Sequence, residues 1–560
     1  MKPHADLQDS VAACLRGAEA LSKTTPGALL DLLGRLRRDT EAAAEAWCES
    51  ACLAKGIAPT SPRAAEEWLG GPVLVLRHLR SLHSTLSSIA QTGRPRLRES
   101  ELSLRSGTAV ASVFPETLTD KLVLGGFSAE VWMEPGLPLE EVSAHTATIW
   151  TGGDTKPQVA AILGAGNVSS IGAMDVLHKI FGERQACVLK LHPVNAYLED
   201  AYAEAFASLI EAGWLRMVRG DAELGAALVH HPDIDTVHMT GSAGVHDAIV
   251  WGAPEVREKN RAANTPVLKK PITSELGCVT PVVLVPGEWT KRELAFQARN
   301  VATQVVNNAS FNCNAAKVLV TAAGWPQRDE FLDALRAALA NTPSRLPYYP
   351  GSKDRYARFE DAAPSSERLG EPKEGHLPWL LAPNLDAQDA EAHAFRNEAW
   401  CGVLAETALP AIDPSDFLRA ATDFCNETLF GTLSMSLVID PRTKQANKEA
   451  YEEAVADLRY GSVVVNHWGA LSYALVVTPW GAYPGHPATD IQSGSGFVHN
   501  TRLFDKVQKA VIEGPFAPRI EPLWFSNHRR ALAASKLLCA WEAEPSFTKL
   551  PGLISNALRP

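Results

Sequence analysis

The sequence lacks the long apolar runs, the basic excess and the cysteine spacing that mark several classes of protein. No run approaches the roughly 18 apolar residues of a membrane helix, and the start, MKPHADLQDSVAACLRG, has no apolar core of a secretory signal. The net charge of −11 offers no basic face to nucleic acid. The nine cysteines include no CxxC pair and no zinc-ligand spacing. We therefore expect no membrane, nucleic-acid or metal partner, and a cytoplasmic protein with free thiols.

Common signatures of nucleotide and metal sites are also incomplete or missing. The segment GAGNVSSIG follows an apolar stretch and precedes a helical one, but Ser169 stands where the third glycine of GxGxxG would fall. No Walker A pattern occurs, which argues against a P-loop NTPase. No HExxH motif offers ligands to a catalytic zinc. A standard Rossmann phosphate loop is therefore disfavoured.

What is present indicates a large globular α/β protein. The chain has 560 residues, of which 46% are hydrophobic and 21% charged, values typical of a globular protein of several domains. Leucines at helical spacing, such as Leu29, Leu32 and Leu36, predict a helical N-terminal block. The segments GTAVASVFP and AEVWMEP predict a hairpin or small meander. Between roughly 150 and 270, apolar strands alternate with helices, which indicates a parallel sheet.

Four segments occur together in an order that carries functional information: VHMTGSAG (237–244), ITSELGCVTP (272–281), SFNCNAAKVLV (310–320) and RNEAWCGVL (396–404). They resemble the Thr-Gly-Ser turn, the Glu-Leu-Gly-Gly turn, the Cys-x-Ala-x-Arg/Lys segment and the Glu-x-Phe-Gly-Pro segment of the aldehyde dehydrogenase superfamily. The resemblance covers about residues 150 to 500. It implies an α/β fold with a parallel-sheet cofactor domain, an α/β catalytic domain and strand-rich oligomerisation elements.

The resemblance also implies a division of the chain and an assembly. We expect a cofactor-binding domain over 1–273, which includes a strand-rich segment at about 108–150. A catalytic domain follows over 274–470, and a C-terminal region over 471–560 contributes to oligomerisation. A homodimer or homotetramer is expected.

The residues themselves suit the oxidation of an aldehyde. A thiolate adds to the carbonyl, and the thiohemiacetal can then expel a hydride to a nicotinamide and leave a thioester. Cys313, in FNCNAAK, is the candidate nucleophile. Glu275 matches the family's general base for thioester hydrolysis, a role that burial supports by raising its pKa. The Asn167 amide and the Cys313 backbone N–H are the candidate donors to the oxyanion.

The resemblance assigns a cofactor, NAD or NADP, to a further set of residues. They are Lys190 for the adenine ribose, Gly225 for the adenine ring, Thr240, Gly241 and Ser242 for the pyrophosphate at a helix N-terminus, Glu398 for the nicotinamide ribose and Trp400 for the nicotinamide. Many NAD-preferring members carry a glutamate three residues after the lysine. Pro193 occupies that place, so the choice between NAD and NADP stays open.

Departures from the family pattern leave two alternatives. The glycine turn reads ELGC, the Glu-x-Phe-Gly-Pro segment reads EAWCGV, and 343–384 looks like an insertion. A CoA-acylating relative would pass the acyl group to a thiol, although such relatives commonly lack the base that Glu275 represents. A non-enzymatic member would use the fold for binding or assembly.

The substrate is a small-molecule aldehyde whose identity the motifs do not specify. Four of the 14 tryptophans, namely Trp150, Trp214, Trp379 and Trp468, could line a channel for a bulky or aromatic aldehyde. Buried aromatic residues are more often part of a core.

Overall fold

A computed structural model of the protein describes residues 3–371, 373–411 and 413–558. The strands are β1 (Leu102–Arg105), β2 (Thr108–Phe114), β3 (Ser128–Met133), β4 (Val159–Leu163), β5 (Ala186–Lys190), β6 (Leu215–Val218), β7 (Thr236–Thr240), β8 (Ile272–Glu275), β9 (Thr280–Leu284), β10 (Ala316–Ala322), β11 (Glu367–Leu369), β12 (Trp379–Leu385), β13 (Val403–Leu409), β14 (Ser434–Val438), β15 (Ser462–Val465), β16 (Pro479–Trp480), β17 (Gly494–Ser495), β18 (Val498–His499) and β19 (Val507–Glu513).

The helices are α1 (Pro3–Leu21), α2 (Leu30–Ala54), α3 (Ala65–Leu69), α4 (Pro72–Thr92), α5 (Leu118–Val123), α6 (Thr148–Thr151), α7 (Ile171–Leu177), α8 (Glu199–Ala205), α9 (Ala207–Glu211), α10 (Ala222–Val229), α11 (Ala243–Trp251), α12 (Pro254–Ala262), α13 (Lys291–Val306), α14 (Arg328–Ala340), α15 (Ser352–Ala362), α16 (His393–Arg396), α17 (Pro414–Glu427), α18 (Pro441–Ala446), α19 (Lys448–Asp457), α20 (Ala470–Leu475), α21 (Ala531–Ala543) and α22 (Leu550–Ala557).

The smaller of two large sheets contains the strands that the alternating pattern predicts between about 150 and 270. Its order is β17-β8-β7-β4-β5-β6, and every neighbouring pair except β17–β8 is parallel. Helices cover both faces of such a sheet, so its strands are continuous apolar runs; every residue of β5 is buried. Since the carboxyl ends of parallel strands share one edge, Asn167 after β4, Ser242 after β7 and Glu275 at the end of β8 lie along that edge.

The larger sheet supports the nucleophile segment. Its order is β1-β2-β3-β19-β15-β14-β9-β10-β13-β12-β11, with a parallel centre from β19 to β12. Cys313 lies in the turn that leads into β10, a strand with every residue buried. The segment 343–384 is more than an insertion, because it contains β11 and most of β12, which pairs in parallel with β13.

The predicted hairpin forms β2 and β3, and these strands extend the larger sheet. β3 pairs antiparallel with β19, where Val131 lies opposite Ala510. β19 pairs in turn with β15. The strand-rich segment that the sequence groups with residues 1–273 is thus hydrogen bonded to the sheet of the second half of the chain. The domain division and the oligomeric state stay predictions.

The N-terminal helical block packs against the C-terminal helices. The leucines at helical spacing in α2 and α4 are buried, as that spacing predicts. Arg77 and Arg80 on α4 donate to the fully buried Glu542 of α21 at 2.7 and 2.8 Å, which joins the two ends of the chain. Over the described ranges, no helix combines the length and the apolarity that crossing a membrane requires.

Candidate active site

The candidate nucleophile and the candidate base are in direct contact. The Cys313 thiol donates to Oε1 of Glu275 at 3.1 Å. Glu275 is buried, and Cys313 is partly exposed to the cavity that both residues line. Oε2 of Glu275 is also buried and has no hydrogen bond of ordinary length among the residues that the structure describes, although the indole of Trp480 is near enough to limit the rise that burial causes in the pKa of this carboxyl group. An unpaired buried acceptor is unusual, and here it can accept from a water or a substrate that enters the cavity.

Burial dominates the acid–base properties of this pair. It raises the pKa of Glu275 to about 7, because a charged carboxylate is poorly solvated inside a protein. Burial, together with the adjacent Glu275 carboxylate, raises the pKa of the Cys313 thiol well above its usual range. The resting thiol is therefore protonated, and its neighbour has a pKa suited to a general base at neutral pH.

Asn167 lines the same cavity as this pair. It follows β4, and its side-chain Nδ2 donates one hydrogen bond to the carbonyl of Phe311 at 2.9 Å. An amide nitrogen carries two hydrogens, so the second can donate to a group near Cys313. The structure thus brings together the three residues that the sequence names as catalytic candidates.

A buried ion pair holds the backbone of Asn167. The ammonium of Lys55 donates to Glu67 at 2.9 Å, to the carbonyl of Asn167 at 2.9 Å and to Oδ1 of Asn308 at 3.2 Å. Only 2% and 3% of the Lys55 and Glu67 side chains are exposed. Burial alone would lower the pKa of Lys55, but Glu67 raises it, so the lysine keeps its charge.

The turn that precedes the nucleophile is part of the same network. The side-chain amide of Asn308 donates to the carbonyls of Asn167 and Phe311 at 3.0 and 3.1 Å. The Tyr348 hydroxyl donates to Oδ1 of Asn308 at 2.9 Å. Asn308, Ala309 and Ser310 all have positive φ, at 50°, 55° and 68°. Non-glycine residues adopt this conformation only where the surroundings impose it, so the network fixes an unusual turn beside Cys313.

Sequence reasoning did not identify the residues of this network. Lys55 and Asn167 are separated by 112 positions, and no short motif connects them. Lys55 follows the last turn of α2, where a lysine is normally a solvated charge. Tyr348 lies in the segment that looked like an insertion. No signal in a single sequence distinguishes these residues.

Lys190 and Gly225, assigned to the adenosine half of a cofactor, are neighbours. The Lys190 side chain passes so close to Gly225 that a Cβ there would lie 3.4 Å from its Cδ and Cε. Gly225 is buried, and the stem of the lysine packs directly on this part of α10. Burial lowers the pKa of Lys190, and the nearby Asp221 carboxylate opposes this effect. The structure thus brings together the two residues that the sequence assigns to the adenosine.

The Thr-Gly-Ser turn forms the start of α11. Ser242 is the N-cap and accepts from the Val245 N–H at 3.3 Å, and both Gly241 and Ser242 are exposed. The Thr240 hydroxyl donates to Asp175 at 3.3 Å and therefore faces the protein interior. Free amide groups at an exposed helix start favour an anion. The turn fits a pyrophosphate.

Glu398 is held against the glycine turn that follows Glu275. Its Oε1 accepts from the Cys278 N–H at 3.4 Å and lies 3.5 Å from the ammonium of Lys317. A Cβ on Gly277 would overlap the Glu398 carboxylate. This contact explains why the sequence ELGC has a glycine at 277. Burial raises the pKa of Glu398. The Glu398 side chain is 19% exposed, which leaves part of it accessible to a ribose hydroxyl.

Trp400 connects the altered EAWCGV loop to the segment 343–384. It has a positive φ of 46°, and its ring meets Tyr349 edge to face with centroids 5.5 Å apart. Tyr349 also packs near His192, which follows Lys190 by two positions, with ring centroids 5.9 Å apart. This aromatic bridge spans from the nucleophile half of the chain to the loop after β5.

The tryptophans considered for a substrate channel divide into two groups. Trp379 and Trp468 line the cavity beside Cys313, and the Trp468 indole donates to the carbonyl of Asn314 at 2.6 Å. Trp150 donates to the carbonyl of Phe181, and Trp214 is buried in the core of the smaller sheet. The latter two are structural residues.

Comparison with known proteins relates this site to a family. Residues 184–349 match the sequence model of the aldehyde dehydrogenase family. No curated protein is similar enough in sequence to match the chain.

Solved structures resemble nearly the whole chain. A mutant of aldehyde dehydrogenase C from Pseudomonas syringae, solved with NAD+ and octanal, is 17% identical, with a TM-score of 0.57 over 92% of this chain and 90% of that one. An indole-3-acetaldehyde dehydrogenase with NAD+ is 16% identical, with a TM-score of 0.60 over 91% and 88%. Gamma-glutamyl-gamma-aminobutyraldehyde dehydrogenase from Burkholderia cenocepacia J2315 is 19% identical, with a TM-score of 0.59 over 91% and 88%.

These findings confirm the predicted fold and the resemblance to the aldehyde dehydrogenase superfamily. The family match covers the nucleophile segment with Cys313, whereas the structural likeness extends to about nine-tenths of the chain. At identities below 20%, likeness between structures shows the fold alone. The activity of this chain must therefore be argued from its own site.

Proposed function

We propose that this protein is a nicotinamide-dependent aldehyde dehydrogenase that forms a thioester on Cys313 and hydrolyses it with Glu275 as base. The observation that carries this proposal is the 3.1 Å hydrogen bond from the Cys313 thiol to Glu275, in a cavity that Asn167 also lines. A thiol, a base near its working pKa and an amide donor are the groups that acyl chemistry on a cysteine requires.

The first half of the reaction acylates Cys313. Glu275 accepts the thiol proton, and the thiolate sulfur adds to the aldehyde carbon. The carbonyl oxygen becomes an oxyanion, which the second Asn167 amide hydrogen and the Cys313 N–H stabilise. A nicotinamide, when bound, supplies the acceptor for the hydride that leaves the former aldehyde carbon. Loss of that hydride leaves a thioester on Cys313.

The second half of the reaction releases the acid. Glu275 first returns its proton to solvent and then accepts a proton from a water molecule, which attacks the thioester carbon. The carbon–sulfur bond breaks, and Cys313 leaves as a thiolate that is reprotonated. Overall, an aldehyde, water and the oxidised nicotinamide give a carboxylic acid, the reduced nicotinamide and one proton. The buried, unpaired Oε2 of Glu275 supports this role, since it can accept from the attacking water.

The remaining candidates suit the binding of the cofactor. Lys190 and Gly225 would hold the adenosine, the turn at Thr240, Gly241 and Ser242 would bind the pyrophosphate, and Glu398 would accept from a hydroxyl of the nicotinamide ribose. Trp400 would border the nicotinamide. The contact between Lys190 and Gly225 and the exposed start of α11 support these assignments.

We further propose that the cofactor is NAD rather than NADP. Asp221 is the N-cap of α10, and Gly225 lies one turn further along the same face of that helix. The Asp221 carboxylate is also close enough to oppose the lowering of the Lys190 pKa by burial, so it lies near the place where the adenine ribose would bind. A carboxylate accepts from a ribose 2′-hydroxyl and repels a 2′-phosphate. Asp221 would thus supply the negative charge that Pro193 does not provide.

Replacing Asp221 tests this cofactor preference. Asp221→Ser keeps an N-cap acceptor and should tighten the binding of NADP relative to NAD about tenfold, because a repulsive charge is removed. The two dissociation constants are measured by quenching of tryptophan fluorescence. Asp413→Ser is the matched control, since Asp413 caps α17 in the same way, through the Ser415 and Asp416 amides. An unchanged ratio in Asp221→Ser would remove the assignment.

The proposed activity is tested by the near-ultraviolet absorbance of the reduced cofactor. Purified protein is incubated with aliphatic and aromatic aldehydes, with NAD or NADP, and with or without CoA. Reduction without CoA that disappears in Cys313→Ala, while cofactor binding remains, is the expected result. Strict dependence on CoA would instead favour the acylating alternative. No reduction and no cofactor binding would favour a non-enzymatic role.

A further inference from the structure

A single cavity of about 520 Å³ begins at the candidate catalytic residues and extends to the C-terminal end of the chain. Asn167, Glu275 and Cys313 line one part of it, and Leu558 after α22 lines another. This volume is within the range of sites that enclose small-molecule ligands, about 300–1,000 Å³. It is far larger than the carbonyl chemistry on Cys313 needs, so the remainder is available to the rest of a substrate.

The wall of the cavity is mainly apolar. Its side chains include Leu74, Leu471, Leu475, Trp524, Leu538 and Leu553. The charges that border it are largely neutralised by partners: Glu66 binds Arg345 at 3.0 Å, and Arg77 binds the buried Glu542 at 2.7 Å. A charged group on a substrate would lose its hydration along this wall, where the paired charges offer it no free partner. An alkyl chain would gain from leaving water.

Apolar side chains also surround the opening of the cavity. Leu122, Ile520, Ile554 and Leu558 all line it, yet they are 60%, 49%, 38% and 49% exposed. A cluster of large, exposed apolar side chains usually indicates a binding site, whereas single exposed apolar residues are common on any protein surface. The entrance and the interior therefore have the same chemical character.

The C-terminal arm, which we define as residues 515–558, forms one side of this cavity. Its helix α21 packs on α2, α3 and α4, and Leu538 and Trp541 share one buried cluster with Cys48 of α2 and Trp68 of α3. Leu553 and Ile554 of α22 also line the cavity. The arm lies largely outside the segments that resemble the family, and enclosure of the cavity gives it a role.

We propose that this cavity binds the hydrocarbon chain of a long, unbranched aliphatic aldehyde, with the C-terminal arm as the wall that contacts the distal carbons. The proposal rests on the proposed function, since the aldehyde end would lie at Cys313. Two cations, Arg63 and Arg519, also border the cavity. A chain that ends in a carboxylate is therefore the competing substrate that a test must include.

The first test is a series of straight-chain aldehydes from propanal to hexadecanal. Each added methylene that enters the cavity should raise kcat/KM about fourfold, because this factor corresponds to the free energy of burying one methylene group. The increase should stop when the chain fills the space. Benzaldehyde and aldehydes with a terminal carboxylate should be poorer substrates than the straight-chain aldehydes of equal length. No dependence on length, or a preference for either competitor, would overturn the proposal.

A variant of the arm locates the distal carbons. Ile554→Trp fills the opening, and it should lower kcat/KM for hexadecanal relative to propanal at least tenfold. Phe547→Trp is the matched control, because Phe547 is 78% exposed on the same arm and does not line the cavity. This control should leave the hexadecanal-to-propanal ratio unchanged. An equal ratio in both variants would show that the chain lies elsewhere.

Binding without turnover separates this proposal from the proposed function. The Cys313→Ala protein is titrated calorimetrically with straight-chain carboxylic acids, the expected products, of increasing length. An affinity that rises with the length of the acid, and that is lower in the double variant Cys313→Ala with Ile554→Trp, supports the cavity assignment even if no aldehyde is oxidised. Absence of binding at every length would overturn it, even if short aldehydes are oxidised.

Discussion

At the scale of single residues, Cys313 and Glu275 share one proton across 3.1 Å, and each changes the titration of the other. A thiol with a raised pKa is a poor nucleophile unless a neighbour removes its proton as the reaction proceeds. Glu275, whose pKa burial raises to about 7, is that neighbour. In the proposed reaction the thiol would therefore stay protonated at rest, and Glu275 would remove its proton once the carbonyl is in place.

The raised pKa of Glu275 predicts the pH dependence of thioester hydrolysis. Below about 7 the carboxyl group is protonated and cannot accept a proton from water, whereas above that value it can. The hydrolysis rate should therefore rise about tenfold per pH unit on the acid side and level off on the alkaline side. Single-turnover release of the acid measures this rate. A flat profile across neutral pH would exclude Glu275 as the base.

At the scale of elements, the Lys55–Glu67 pair connects the end of α2 to the loops that carry Asn167 and Asn308. Removing one partner of a buried pair leaves an unpaired buried charge. Lys55→Met should lower the free energy of unfolding by about 3–5 kcal/mol and should lower kcat, because Asn167 loses its anchor. The midpoint of urea unfolding and the steady-state rate measure the two effects.

Two further variants serve as controls for the Lys55→Met measurement. Lys448→Met removes the exposed pair of Lys448 with Glu452 and should cost less than about 1 kcal/mol. The double change Lys55→Met with Glu67→Gln removes both buried charges and should recover part of the lost stability. Equal effects of Lys55→Met and Lys448→Met would contradict the network described around Asn167.

The elements differ in how well the sequence predicts them. The strands β4 to β7 are predictable because parallel strands covered on both faces are short apolar runs bounded by turns. The hairpin of β2 and β3 is also predicted, but its pairing with β19 is not, since the partner lies nearly 400 positions away in the chain. Local patterns report which residues are buried, and they do not report which distant strand covers them.

The candidate site shows the same limit. Cys313, Glu275 and Asn167 can be named because each lies in a motif, and the structure brings them into one cavity. Lys55 and Tyr348 are not in a motif, and their contribution depends on contacts between segments far apart in sequence. The proposed role of Asp221 likewise depends on the packing of α10 beside Lys190.

At the scale of the whole molecule, the active site collects residues from most of the chain. The smaller sheet contributes Asn167 and Glu275, the larger sheet supports Cys313, and the ends of the chain enclose the cavity. The N-terminal block and the C-terminal arm match the family motifs poorly, yet they form much of that enclosure. Substrate preference would therefore depend on the least typical parts of the sequence.

The most direct test of the account is the intact mass of the Glu275→Gln protein. The protein is first incubated with NAD and with an aldehyde that the wild-type protein oxidises. Without the base, acylation is slowed because the thiol proton must pass to water, and hydrolysis stalls. The account predicts one acyl group per chain, located by peptide mapping on Cys313, and one equivalent of reduced cofactor. Continued turnover without an acyl adduct, or an adduct on another cysteine, would contradict it.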